Sequence, residues 1–402
     1  MPNQKGLRQN NKAIVFQTIA KFGPISRKEI AEITNLSPAL VTIITEELKK
    51  QSFILETGTA NSTGGRPAVF LEIYPHAGYV IGINLGMTYI STLLMDFSLQ
   101  PVHKLKIPTL PHEGKDAVIN RIVEAIEKII ILAEVPREKV LAIGIGVPGL
   151  VDTKNGISKF SPNLGWYNVP IRDIVYQRVN IPVLIENDVR CATLGEKFFG
   201  AGKGVDNLVC MYVGTGIGAG IIIDGKLYKG VSEGAGEIGH TTILDDGPKC
   251  SCGNKGCLEA IASGPAIARR AKELIEKGRK SLIYDLVEGK LEKITGEIVS
   301  RAGWSGDPLA LEILRDTGHY LGIGIANLIN LFNPELLILG GGVMQAGELI
   351  MNSLRETLKE RVFSMPAEAV KIVFAFLGNE AGMTGAAKLA MDFAYQSLGL
   401  II

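Results

Sequence analysis

The sequence predicts an α/β protein: a small N-terminal helical unit with a wing, followed by a larger two-lobed body. Three observations carry that prediction. Residues 10–73 read as three helices and then two strands around a Gly-rich loop. From Tyr79 onward, a run of strands followed by helices occurs twice. A cluster of one histidine and three cysteines interrupts the second run. The 402 residues exceed one ordinary domain and suit two or three. Hydrophobic residues make up 46%, ample for a core, and a net charge of +1 gives no bulk attraction to polyanions. There is no apolar run long enough to span a bilayer, and the opening residues lack the apolar core of a signal peptide. Five cysteines, three of them bunched, fit a reducing cytoplasm better than a disulfide framework. The expected units are 1–74, 75–190 joined by a terminal helix at 383–402, and 191–382.

In the first unit, Ile14, Ile19 and Phe22 recur at roughly helical spacing, and Gly23-Pro24 ends that helix. Ser26 is placed to cap a second helix, with Glu29 completing a capping box. After a turn at Asn35-Leu36, Ser37 caps a third helix that opens with Pro38, where a missing N–H costs nothing. That helix is expected to bury Leu40, Val41, Ile44 and Leu48 and to expose Ala39, Thr42, Ile43 and Thr45. A short helix, a tight turn and a second helix that begins with small residues is helix-turn-helix grammar, and its second helix enters the major groove. The strands Phe53–Glu56 and Ala68–Ile73 form a wing with Arg66 at its tip, suited to a narrow minor groove. Nine basic and six acidic residues through Tyr74 make this unit +3. The candidate DNA contacts are therefore Ser37, Pro38, Ala39, Thr42 and Arg66. A winged helix used only for dimerisation, or an unrelated bundle, would share the pattern.

In the body, Pro75–Gly78 reads as a linker. Three strands follow within 79–110, then a long amphipathic helix from about Lys115 to Ala133, then the apolar strand Leu141–Val147 ending in Pro148-Gly149. A second round starts at Leu208 and ends with a strand at Leu336–Leu339. Two such rounds imply an internal duplication with a cleft between lobes. In the second round His240 precedes Cys250, Cys252 and Cys257, with Gly and Asn between the cysteines to allow tight turns. One imidazole and three thiolates are ligands that tetrahedral Zn²⁺ prefers, and a set with no open position is structural. The plainer alternative is three free thiols beside a core histidine. Cys191 and Cys210 read as small buried hydrophobes.

Several motifs together resemble the ROK family of repressors and sugar kinases. They are Gly144-Ile-Gly-Val-Pro-Gly149, Ser161-Pro-Asn-Leu-Gly-Trp166, Glu186-Asn-Asp188, Gly214-Thr-Gly-Ile-Gly218, Glu237-Ile-Gly-His240, the cysteine knuckle with Glu259, and Gly340-Gly-Gly342. The resemblance covers the whole chain, because repressor members carry a winged helix ending in Gly-Gly-Arg-Pro. It implies an actin/hexokinase-like (ribonuclease H-like) fold, a sugar site between lobes, a structural zinc and a homodimer or homotetramer. By the same resemblance, Asn187 and Asp188 bind sugar hydroxyls and Glu237 and Glu259 are the two sugar-binding glutamates. Asn163 and His240 supply further polar groups. His240 either bridges sugar and zinc through its two nitrogens or ligates metal alone. Trp166 either packs on a sugar face or fills a core, and Gly149 is expected to approach the ligand closely.

Family kinases carry Asp-x-Gly-Gly-Thr at the first phosphate loop, where this chain has Asn84-Leu-Gly-Met-Thr88. Asn84 is a weaker partner for Mg²⁺ or its waters, and Met87 is expected to crowd a phosphate. Losing one electrostatic stabiliser costs about 10²–10³ in rate, so Asn84, Thr88, Gly214, Thr215 and Gly216 read as a vestigial phosphate site. Asp188, the base of a kinase, then remains as a sugar ligand. The reading reached is a sugar-responsive regulator that binds operator DNA, most simply a repressor, and not an enzyme. Its rivals are an ATP-dependent sugar kinase with an added DNA-binding unit and a sensor acting through protein partners. The expected effector is a sugar, with a glucose-like hexose slightly ahead of xylose, N-acetylglucosamine and inositol.

Overall fold

The computed structural model describes residues 4–59 and 69–401. The expected Arg66 contact lies outside the described residues. The N-terminal unit comprises helix α1 (Gln4–Phe22), strand β1 (Ile25–Ser26), helices α2 (Arg27–Thr34) and α3 (Pro38–Lys50), and strands β2 (Ile54–Thr59) and β3 (Val69–Ile73). The three strands pair antiparallel in the order β1-β3-β2, which makes a winged helix. Its turns form for the reasons legible in the sequence. Ser26 and Glu29 close a reciprocal capping box on α2. Ser37 Oγ accepts the Leu40 N–H, and Pro38 opens α3. Four side chains differ from expectation, among them Leu40, which is only partly buried. Phe22 is exposed and Ile14 only partly buried, while Val15, Phe16 and Ile19 form the buried face of α1. Thr45, expected at the surface, is buried because its hydroxyl takes the Arg27 Nε–H at 3.1 Å.

The first lobe contains β4 (Tyr79–Leu85), β5 (Tyr89–Asp96), β6 (Pro101–Pro108), α4 (Lys115–Leu132), β7 (Val140–Val147), a small sheet of β8 (Leu150–Asp152), β9 (Ile157–Ser161) and β10 (Trp166–Val169), then α5 (Ile171–Val179) and β11 (Val183–Asn187). Helix α6 (Asp188–Phe199) carries the chain toward the second lobe. That lobe comprises β12 (Leu208–Val213), β13 (Ile217–Ile223), β14 (Lys226–Leu227), helices α7 (Leu258–Ala262), α8 (Gly264–Glu276), α9 (Leu282–Leu286), α10 (Gly296–Trp304) and α11 (Pro308–Phe332), strand β15 (Leu336–Gly340), α12 (Glu348–Arg361), α13 (Ser364–Ala369) and β16 (Lys371–Phe374). The last helix, α14 (Ala381–Ser397), returns to the first lobe.

The two main sheets have the same order: β6-β5-β4-β7-β11 in one and β14-β13-β12-β15-β16 in the other. In each, the first three strands form an antiparallel meander and the last two are parallel to the first. This is the duplicated ribonuclease H-like unit. The expected boundary after residue 190 falls inside α6, because that helix begins at the end of one sheet and crosses over.

Helices α6 and α14 pack on each other between the lobes. The strands under α14 have had to lose their side chains. A Cβ on Gly82 would lie 2.1 Å from the Met383 carbonyl oxygen, and one on Gly144 would lie 2.0 Å from that of Ala386. The far end of α14 meets the winged helix. Phe16, Leu48, Leu71, Val80, Phe97, Ala390 and Tyr395 belong to one continuous apolar core. Within it, Tyr395 sits edge-on to Phe16 at 5.1 Å and to Phe97 at 5.0 Å, while Phe53 stacks on Phe97 at 5.6 Å. The Tyr395 hydroxyl donates to the Phe97 carbonyl. Pro75–Ala77, read as a linker, is a short 3₁₀ turn fastened by the Phe97 N–H to the Pro75 carbonyl.

Candidate functional site

A cavity of about 290 Å³ lies between the lobes, at the small end of the roughly 300–1,000 Å³ usual for small-molecule sites. All six sequence-nominated sugar residues line it: Asn163, Asn187, Asp188, Glu237, His240 and Glu259. They arrive from separate elements. Asn163 comes from the turn between β9 and β10, Asn187 and Asp188 from the junction of β11 and α6, and Glu237 and His240 from the segment after β14. Glu259 stands in the first turn of α7.

Asn187 has two structural duties. Its Oδ1 accepts the Arg190 N–H at 3.0 Å, capping α6, and its Nδ2 donates to the Gly149 carbonyl at 3.1 Å. Gly149 itself has φ +89°, and a Cβ there would lie 2.2 Å from the Phe160 carbonyl oxygen. The β9 backbone therefore requires glycine here, and Gly149 also lines the cavity, as the sequence reading expected. Trp166 resolves to the core alternative. It is 2% exposed and belongs to the first-lobe core, so it fills space there and is absent from the cavity wall.

Asp188 sits at the base of the cavity with Oδ1 accepting the Val189 N–H at 2.9 Å. Burial pushes its carboxyl up to about 6, against the opposing pull of that bond and of Arg190. Burial also raises Glu237, helped by Asp188 and Glu259 and opposed by His240. Glu259 accepts the Ile217 N–H at 2.9 Å and so ties the Gly214-Thr215-Gly216 turn to α7.

The knuckle adjoins this wall. The ligand atoms of His240, Cys250, Cys252 and Cys257 all lie within 4.8 Å of one another. Cys252 and Cys257 Sγ are 3.7 Å apart, and His240 Nδ1 is 3.6 Å from Cys250 Sγ. A tetrahedral ion with Zn–S bonds of about 2.3 Å separates its sulfurs by roughly 3.8 Å, so the donor set fits. His240 Nδ1 faces the thiols while Nε2 lies 3.9 Å from Glu237 Oε2 on the cavity side. This orientation leaves the second nitrogen free to meet a ligand. Gly256, at φ +65°, crosses so close to Leu244 that a Cβ would lie 1.5 Å from its carbonyl oxygen.

Of the vestigial phosphate set, Asn84, Gly214, Thr215 and Gly216 line the cavity, together with Gly341 and Asn379. Thr88 does not line it, and its carbonyl accepts the Thr109 N–H instead. Met87, expected to crowd a phosphate, packs against the first-lobe core because β4 and β5 turn it inward. Asn84 Oδ1 is buried without a hydrogen-bond partner. A Cβ on Gly382 would lie 2.5 Å from it, so α14 closes over the amide.

Sequence reading missed a clasp between the lobes. Buried Glu186 pairs with Arg190 at 2.7 Å and with Lys229 of the second lobe at 2.6 Å. Arg190 donates to the Glu233 carbonyl at 2.7 Å, and Glu233 accepts both the N–H and the hydroxyl of Thr153 in the first lobe. Glu186 belongs to a quoted motif, but nothing local to Lys229 or Glu233 marks their partners. The chain crossings are pinned similarly: buried Glu196 accepts the N–H groups of Ala201, Phe376 and Leu377.

The predicted DNA contacts Ser37, Pro38, Ala39 and Thr42 are all exposed along the start of α3. Among the described residues, no helix is long and apolar enough to cross a membrane.

Comparison with known proteins matches this architecture. The pattern of the ROK family covers residues 80–393. The chain is 37% identical over 385 residues to a xylose repressor of Caldicellulosiruptor bescii, covering 96% of each protein. It is 39% identical over 314 residues to a glucokinase of Thermotoga maritima, covering 78% of this chain and 97% of the kinase. Its structure resembles that of a ROK family transcriptional regulator described as a homologue of the E. coli MLC protein, with a TM-score of 0.83 and 32% identity over 98% of this chain and 99% of the other.

Proposed function

The chain belongs to the ROK family, and from that premise we propose that it is a sugar-responsive transcriptional repressor. The observation that carries this reading is the single core that joins the winged helix to the body holding the cavity. A ligand that alters the body thereby acts on the DNA-binding unit. Sugar enters between the lobes and is held by Asp188, Glu237, His240, Glu259, Asn163 and Asn187. It favours the arrangement in which both lobes contact it, at the expense of the other. The change reaches α6, which begins at Asp188, then α14, and then the Tyr395–Phe97–Phe16 cluster under α1. In a dimer this reorients the paired winged helices relative to their half-sites, and the protein leaves its operator.

The metal held by His240 and the three cysteines is zinc, in a structural role. It fixes the backbone that presents His240 and Glu259 and supplies no step of any reaction. The effector we infer is xylose, the sugar in the name of the full-length repressor relative, with a glucose-like hexose second. The working form is a cytoplasmic homodimer or homotetramer.

The protein acts as a regulator rather than an enzyme. The alternative of sugar phosphorylation draws on the glycine turns at Gly214–Gly216 and Gly341 in the cavity. Against it, the first phosphate loop offers neutral Asn84, enclosed by Gly382, where a kinase needs a carboxylate. Fluorescence anisotropy tests the reading: DNA from upstream of the gene is titrated with protein and then with xylose, glucose, N-acetylglucosamine and inositol. Tight, salt-sensitive binding released by one sugar is expected. Sugar-dependent ADP production, abolished by Asp188→Asn, with no specific DNA binding, would replace it.

A further inference from the structure

The exposed face of α3 has a chemical peculiarity. Its hydroxyls already make bonds inside the protein. Ser37 Oγ accepts the Leu40 N–H at 3.3 Å, and Thr42 Oγ1 donates to the Pro38 carbonyl at 2.8 Å. Thr45 Oγ1 is buried between Arg27 and the Thr42 carbonyl. Of the charged residues of the same helix, Glu46, Glu47 and Lys49 are paired within the unit, and Lys50 stands exposed at its far end. Glu46 takes Arg27 at 2.7 Å and Lys49 at 3.0 Å, and Glu56 takes both cations as well. What α3 presents outward over its first two turns is the ring of Pro38, the methyl of Ala39, the methyl of Thr42 and the side chain of Ile43, which is 57% exposed. Across residues 37–45, all described, each hydroxyl already makes at least one bond inside the protein, and the Ser37 O–H, at the very start of the helix, is the one donor there without a partner among the described residues.

An apolar surface that enters the major groove finds one apolar group on the base edges, the C5-methyl of thymine. We propose that α3 selects its operator by packing Ile43 and the Thr42 methyl against thymine methyl groups, and that hydrogen bonds from α3 to base edges contribute little to sequence choice. Phosphate contacts, for which Lys28 at the start of α2 is exposed, supply affinity without sequence information. This inference rests on the DNA-binding reading above. It adds the chemistry by which sequence is read.

The test changes the DNA rather than the protein. Full-length protein selects duplexes from a random library, and the enriched site is resynthesised with each thymine replaced singly by deoxyuridine, which removes only the methyl. Affinity is measured at fixed salt. Two or three adjacent thymines in each half-site are expected to lose roughly fourfold each, the factor for one buried methyl-sized group. Thr42→Ser, which keeps the hydroxyl bond to Pro38, and Ile43→Ala should each erase the thymine–uracil difference at one position. An enriched site at which every substitution stays within about twofold overturns the proposal while leaving DNA binding intact. So does uracil sensitivity that persists in the double variant. If no sequence is enriched, the DNA-binding reading itself falls and takes this one with it. If Ile43→Asn alters the sedimenting mass of the free protein and uracil has no effect, the face belongs to a second copy of the chain.

Discussion

Tyr395 offers the sharpest test of the shared core. It lies near the end of α14, is 6% exposed, meets Phe16 and Phe97 edge-on, and donates its hydroxyl to the Phe97 carbonyl. Tyr395→Phe removes only that hydrogen bond, for about 0.5–1.5 kcal/mol. Tyr395→Ala also removes the ring and two aromatic contacts, and a large-to-Ala change in a packed core costs about 3–5 kcal/mol. The location of the loss matters more than its size. Because Phe16 of α1 is one of the walls, the winged helix should weaken together with the first lobe. Hydrogen exchange at Val15–Ile19 and at Leu93–Phe97, followed by mass spectrometry, reads both places at once. In Tyr395→Ala, exchange should accelerate in both segments by a similar factor. In Tyr395→Phe the shift should be smaller, with DNA affinity nearly kept and its response to sugar reduced. The sugar affinity of the free protein should hold in both, since Gly382 at the cavity end of α14 is thirteen residues away, about 20 Å along a helix. Faster exchange in the first lobe with unchanged α1 would refute the argument.

Three further outcomes are expected. With Asp188 raised to about 6, its carboxyl is neutral in the fold below that pH and charged above it. Sugar affinity, measured by calorimetry, should therefore tighten about fivefold from pH 5 to 7, because a charged acceptor makes the stronger hydrogen bond. The sign reverses for stability. The fold holds the proton more tightly than the unfolded chain, so this group's contribution is lost as pH rises from about 4 to 6. Asp188→Asn should flatten both trends, and a pH-independent wild-type affinity would count against the role given to Asp188. Cys257→Ser should reduce bound metal from about one ion per chain to near zero by elemental analysis and weaken sugar binding through His240 and Glu259. Unchanged sugar affinity in the metal-free variant would show that the knuckle does not shape the site. Lys229→Met leaves Glu186 with Arg190 alone and should cost about 2–3 kcal/mol in denaturant unfolding, below the ~3–5 of a fully buried pair because Lys229 is one-third exposed. A loss under about 0.5 kcal/mol would mean that the clasp contributes no more than a surface pair.

Local chemistry was the most readable part of the chain. The capping box at Ser26 and Glu29, the Ser37-Pro38 start of α3 and the ligand spacing of the knuckle each depend on residues a few positions apart. Their structures follow those patterns. The lining of the cavity was legible through motifs, because each cavity element carries its own short signature. Misreadings arose where a long-range contact decided the outcome. Thr45 is buried by Arg27 from another helix, and Met87 turns into a core assembled from distant strands. The clasp of Glu186, Lys229, Glu233 and Thr153 joins residues up to eighty positions apart, and no periodicity reports such a pairing.

The terminal helix imposes an order on the life of the molecule. The winged helix leaves the ribosome well before the segment that completes its core, which contains Ala390 and Tyr395. A chain cut before α14 would carry the winged helix without the packing that steadies it. Under the proposed function, a chain without α14 would lose a firm hold on DNA together with the helix that carries the sugar signal to the winged helix.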